Sequence, residues 1–309
     1  MSNTLNANTN EKIWVKGAPS AYQKHDITHF PDWNNVIVWD LFFNNLTSGF
    51  MFITTLTWFV RPDIFGGVAP YALTLAFFIV LFDLMLLVID LGDHIRFIHA
   101  MRVMHPTAPL SVGVVGLIFY SIMLFVALAI YWGGNLWTYL WGMTAEATGV
   151  LDILVNLFLL FAFISACVVI CYKGVAFSCT AQPGVRKARW MTPWVVTDAL
   201  TIGMALLIGL SFLMGQMAPI EALVIPFIML IALRGFTYAL VWMNIHERAS
   251  LMYSKGHNLM NGVIVYGIAG ACSIALCLFG PIGMLIAAGI YFFAGFWERY
   301  WIIYVTHPH

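Results

Sequence analysis

Seven ionisable residues stand within long apolar runs of this chain: Asp40, Asp83, Asp90, Asp152, Asp198, Arg234 and Glu298. Glu221 sits at the mouth of another run. A charge in such surroundings is costly, and it persists where it pairs with an opposite charge or carries a proton or ion. Carboxylates suit proton carriage, because burial tunes their affinity for a proton. Asp83 and Asp90 are seven residues apart, two helical turns, and so share one helix face. His94 continues that line four residues later, with waters to bridge the gaps. Asp40, Asp90, Asp198 and Glu298 lie within a few turns of one end of their runs. Asp83 and Arg234 are nearer the middle, and Asp152 is near the opposite end. Taken together, these groups form a candidate proton path across the molecule. Two alternatives stand beside it: a purely structural buried pair for Asp83 and Arg234, and a helix cap or interfacial anchor for Asp152 and Glu221.

The elements that must hold these groups are membrane-spanning helices. Apolar residues make up 61% of 309 positions and charged residues 9%, with a mean hydropathy of +0.88. A soluble domain carries about 45–50% apolar and about 25% charged residues, so too few charges remain here to cover a water-facing surface. About 20 apolar residues cross the hydrocarbon core as a helix. Eight stretches qualify: 36–60, 69–92, 109–132, 149–172, 194–215, 219–243, 260–280 and 282–305. A barrel would instead show alternating strands of about ten residues. The expected class is an all-α integral membrane protein. A zero net charge and a pI of about 7.1 give no sign of a nucleic-acid partner; the partner of this surface is the lipid bilayer.

The expected organisation is an N-terminal polar tail (1–34), a first four-helix bundle (35–173), a basic connecting loop (174–193) and a second four-helix bundle (194–309). The tail lacks the pattern of a cleavable signal peptide, so the first spanning helix is the expected insertion signal. Leu46-Thr47-Ser48-Gly49 recurs as Leu200-Thr201-Ile202-Gly203, 154 residues later, and the remaining stretches fall at similar offsets. A shift of four helices preserves membrane direction, which makes this a parallel repeat of two bundles. Eleven Lys and Arg residues, Lys173 among them, fall in the segments on the N-terminal side, against Arg61 alone on the other. That bias places both termini in the cytoplasm, here of a bacterial cytoplasmic membrane.

Two redox cofactors are disfavoured. A membrane haem b needs paired axial His inside the bundle, whereas the nine His lie in tails, loops or helix ends. None of the five Cys forms a CxxC, and four lie in apolar runs as small hydrophobes do. The expectation is no haem and no metal in this chain.

The segment after the second stretch is the most distinctive. It reads Asp90-Leu91-Gly92-Asp93-His94-Ile95-Arg96-Phe97, then Pro106, then Ala108-Pro109-Leu110-Ser111-Val112-Gly113. This resembles the NrfD/PsrC family, quinone-interacting membrane subunits of polysulphide reductase and related complexes. That family has an acid-Leu-Gly, a following Arg-Phe, and a Pro-x-Ser-x-Gly helix entry there. Leu46-Thr47-Ser48-Gly49 resembles the family's small-residue stretch, although Asn44-Asn45 precede it in place of glycines. The resemblance implies a subunit that binds menaquinone or ubiquinone as an exchangeable substrate. Its implied partners are an iron–sulphur, ferredoxin-like subunit and a catalytic or cytochrome subunit. The matching positions for the head-group pocket are Asn35, Asp40, Asp90, His94 and Arg96, with Tyr120 a looser candidate. Asp40 stands where family members often carry a His.

The chemistry agrees with such use. A quinol releases two protons with its two electrons, so its pocket needs proton acceptors and hydrogen-bond partners for the ring oxygens. A carboxylate beside a His supplies both, and Trp39, Phe42 and Phe43 would flank the ring. Activity would then reside in the assembly rather than in this chain alone. A secondary transporter or ion-translocating protein is the alternative, supported by the intramembrane acids and the repeat. Such proteins more often break their helices at mid-membrane, and Pro226 is the one such break well inside a run.

Overall fold

Two of the spanning helices, the first and the fifth, occupy the centre. In the computed structural model, which describes residues 35–90, 105–179, 188–252 and 263–304, every regular element is helical. The helices are α1 (Asn35–Val60), α2 (Ala69–Asp90), α3 (Pro109–Trp141), α4 (Ala145–Cys179), α5 (Met191–Leu213), α6 (Met217–Met252), α7 (Gly270–Cys277) and α8 (Gly280–Tyr304). A one-turn helix (Pro62–Phe65) follows α1, and a π-helical segment (Val263–Ala269) leads into α7. Seven helices, α1 to α6 and α8, are long and apolar enough to cross a membrane.

The stretch 260–280 yields only a shorter apolar helix, Val265–Cys277, among the described residues. It ends where Gly280, at φ 78°, takes a left-handed conformation that other residues avoid, and Pro281 then starts α8. Arg61 closes α1 at φ −138°, because the residue before a proline is driven out of the helical region. Helix α6 runs through Pro226 without interruption.

Within their most apolar windows, α1 is 72% and α5 67% buried, against 28% for α6 and 33% for α8. With lipid as solvent, apolar side chains gain little by turning inward. The helices that carry hydroxyls, amides and small residues therefore pack inside, where those groups find partners. At the α1–α5 crossing the backbones touch. A Cβ on Gly49 would lie 1.9 Å from the Ala199 carbonyl oxygen, and one on Gly203 would lie 2.3 Å from Phe50 N. The glycine that closes each copy of the repeated tetrapeptide thus lies against the other helix.

One boundary differs from expectation and matters for the site. Helix α4 does not stop at 172 but continues to Cys179, so Lys173 is a buried helical residue and not a loop cation. Gly174 does not break the helix; a Cβ there would lie 2.4 Å from Thr192 Cα. Its role is to let α4 approach the start of α5.

Candidate functional site

Helix α1 carries Asp40, Asn44 and Thr47 at intervals of four and three residues, which brings them to one face. All three are buried. Asp40 accepts a hydrogen bond from the Lys173 ammonium of α4 in a buried ion pair. Asn44 donates through Nδ2 to Asp83 Oδ2 of α2 at 2.9 Å. Thr47 donates to the Ala76 carbonyl at 3.1 Å, so its hydroxyl oxygen is left to accept from Tyr120 of α3, 2.9 Å away. The ring of Tyr172 lies 5.5 Å from the Lys173 ammonium. This layer holds two carboxylates and one ammonium, a net charge of −1 when all are ionised. Asp40 Oδ1, Asn44 Oδ1, Asp83 Oδ1 and the Tyr172 hydroxyl have no hydrogen-bond partner among the described residues. A buried layer with an excess of acid and spare acceptors is equipped to take up protons or hold a hydrogen-bonding guest.

A second cluster lies against the next residue of α1. Asn45 donates through Nδ2 to Asp198 Oδ2 of α5 at 2.9 Å. Asp198 also pairs with Arg299 of α8 and with Arg234 of α6 at 2.6 Å. Arg234 pairs in turn with Glu298. Asp198, Arg234 and Arg299 are fully buried and Glu298 nearly so. Two acids face two bases, so the quartet is neutral when ionised. Aromatic faces complete the wrapping: the Arg234 guanidinium lies 4.8 Å from the Tyr291 ring, and that of Arg299 lies 5.1 Å from the Phe42 ring. Thr197 and Thr237 exchange a hydrogen bond at 2.8 Å beside it. Trp194 donates to the Tyr266 hydroxyl at 2.9 Å.

Of the residues singled out from sequence, Asp40, Asp83 and Tyr120 are brought into one layer. Asp198, Arg234 and Glu298 are brought into the other. Asn35 begins α1, and Trp39 sits one turn further on, 44% exposed, with its ring 4.5 Å from that of Phe296. Asp90 is the last residue of α2. His94 and Arg96 lie outside the described residues. Asp152 joins neither cluster; it is exposed near the start of α4. Asp83 and Arg234 are not paired with each other, for Asn44 holds the first and Asp198 and Glu298 hold the second.

Four participants were not among the expected site residues: Lys173, Arg299, Asn44 and Asn45. Two signals pointed to them. The apolar run around Lys173 continues to Phe177, which marks an intramembrane Lys in need of an acid, and two adjacent amides, Asn44 and Asn45, stand inside an apolar run. Compared with protein-family models and with curated protein sequences, the chain matches none.

Proposed function

We propose that this chain is the quinone-handling membrane subunit of a respiratory oxidoreductase complex, in the manner of the NrfD/PsrC family. The observation that carries the reading is the buried layer of Asp40–Lys173 and Asn44–Asp83. Three of its acceptor oxygens have no hydrogen-bond partner among the described residues, and it lies toward the end of α2 that closes at Asp90. In this reading the quinone ring enters between the start of α1 and the end of α2, beside Asn35 and Trp39. Asp40, positioned by its ion pair with Lys173, accepts a proton from the quinol, and Asp83 receives it one turn deeper. Electrons leave to an iron–sulphur subunit docked on the same face, and a further catalytic or cytochrome subunit completes the assembly. Menaquinone or ubiquinone is the exchangeable substrate.

The finer architecture belongs to the same proposal. Eight spans would form two parallel four-helix bundles, with Val265–Cys277 as part of the seventh. The pattern of ion pairs supports this: those of the first cluster join α1 and α4, and those of the second join α5, α6 and α8, with Asn45 of α1 as the bridge. With Lys173 taken out of the loop count, ten cations remain on the N-terminal side against Arg61. Both termini therefore lie in the cytoplasm of a bacterial inner membrane.

The test is biochemical. The protein is purified in mild detergent, extracted with organic solvent for quinone, and its co-purifying subunits identified. A bound quinone together with an iron–sulphur subunit is the expected result. A lone protein without quinone would sink the reading and favour a transporter.

A further inference from the structure

The membrane end away from both clusters carries an open cleft of ≈ 380 Å³. Trp58 and Phe59 of α1, Tyr131 of α3, and Asp152 and Asn156 of α4 line it, with Pro62 at its lip. The Trp58 indole donates to Asn156 Oδ1 at 3.0 Å. That bond fixes the ring and leaves the Asn156 amide NH2, a pure donor, for another acceptor. The Tyr131 ring stands edge-on to Trp58, 6.3 Å between centroids. Asp152 is exposed and makes no hydrogen bond or ion pair among the described residues.

The charges at this end do not neutralise it. Arg61 contributes +1, while Asp63, Glu146, Asp152 and Glu221 contribute −4, a sum of −3 over the described residues. Arg61 is already engaged, for it donates to Asp63 at 2.9 Å and that bond holds the Asp63 carboxyl below its usual range. The flanks of the cleft are apolar: Val60, Ile153 and Leu157 are all exposed side chains.

A carboxylate that shares a cleft with aromatic rings can receive an organic ammonium, because the rings attract the cation and its CH2 groups while the carboxylate meets its charge. A primary ammonium has three N–H donors to give to Asp152; a trimethylammonium has none. An anionic headgroup would face a net negative field. The apolar flanks supply a track for acyl chains, which a soluble amine would leave unused. We propose that this cleft is a binding site for the headgroup of phosphatidylethanolamine. Its ammonium rests on Asp152 between Trp58 and Tyr131, its phosphate ester accepts from the Asn156 amide, and its chains run along Ile153 and Leu157. The site lies at the opposite helix ends from the proposed quinone pocket and does not depend on that reading.

Native mass spectrometry of the purified full-length protein, with any subunits that accompany it, tests the proposal. The sample is delipidated in detergent and offered phosphatidylethanolamine, phosphatidylglycerol or soluble phosphoethanolamine in turn. The phosphatidylethanolamine adduct should outlast that of phosphatidylglycerol. Asp152→Asn should weaken it by about tenfold, the scale of one charge-assisted hydrogen bond. Asp152→Glu should keep the preference, and Trp58→Leu should weaken binding through the lost ring face. Equal retention of both lipids, or an Asp152→Asn variant that binds as the parent does, overturns the proposal. Phosphoethanolamine binding as tightly as the lipid would assign the cleft to a soluble amine instead. Should Asp152→Asn fail to fold, Trp58→Leu decides, and undiminished lipid binding there counts against the site.

Discussion

Asn44 and Asn45 are consecutive on α1, and each donates to a different buried cluster. The two clusters are built alike yet differ in charge. The first, with Asp40, Asp83 and Lys173, has one acid too many; acceptor oxygens without a hydrogen-bond partner among the described residues occur in both, Asp40 Oδ1 and Asp83 Oδ1 in the first and Asn45 Oδ1 and Glu298 Oε1 in the second. In the second, each acid, Asp198 and Glu298, contacts an arginine, and the charges cancel. Desolvating ions in lipid is tolerated when they neutralise one another, so a balanced quartet clamps helices together. An unbalanced layer stays responsive, since one proton more or less changes its net charge without breaking a pair. On the proposed reading, the first cluster serves exchange and the second cohesion.

The strongest way to break this contrast is to truncate the quartet. Asp198→Ala leaves two buried guanidinium groups short of a partner and should cost about 3–5 kcal/mol. Loss of monodisperse protein, or a collapse of thermal stability in detergent, is the expected outcome. A variant that stays stable but loses electron transfer would move the quartet into the functional class.

Asp40→Asn attacks the unbalanced layer. Removing a positioned proton acceptor lowers turnover by about 10²-fold or more, measured as quinol oxidation in membranes. Because it strands Lys173, the companion Asp40→Asn/Lys173→Met is needed. That double variant should regain stability without regaining turnover. Recovery of both would reduce the pair to a structural one.

Gly49→Ala probes the contact between α1 and α5. With its Cβ 1.9 Å from the Ala199 oxygen, α1 and α5 must separate, at a cost of about 1–3 kcal/mol. Unfolding in detergent should shift accordingly, and Gly203→Ala should behave the same way. If Gly49→Ala is as stable as the parent, the close crossing is not needed.

The smallest effect on turnover is expected from Asp83→Asn, which keeps a polar partner for Asn44. Quinol oxidation should stay within about twofold, well below the effect of losing a direct proton acceptor, while charge translocation in vesicles is lost. If both activities persist unchanged, Asp83 carries no proton that matters.

The sequence by itself determined that this is a helical membrane protein, because hydrocarbon leaves backbone groups no partner outside a helix and so demands long apolar runs. Arg61-Pro62, Pro109 and Gly280-Pro281 set helix ends by local sterics alone. Asp40, Asp83, Asp198, Arg234 and Glu298 were visible too, since a charge stands out against apolar surroundings, whereas Lys173 and Arg299 were not singled out. The pairings were not visible. Lys173 is 133 residues from Asp40, and Arg299 is 101 from Asp198; no periodicity within one helix can join them. Asp83 and Arg234, adjacent in depth along their helices, were assorted into different clusters only by which helices pack together. The tertiary structure decided that, through the Gly49–Gly203 crossing and the two amides that α1 turns to opposite neighbours. The same helix that separates the clusters ties them together.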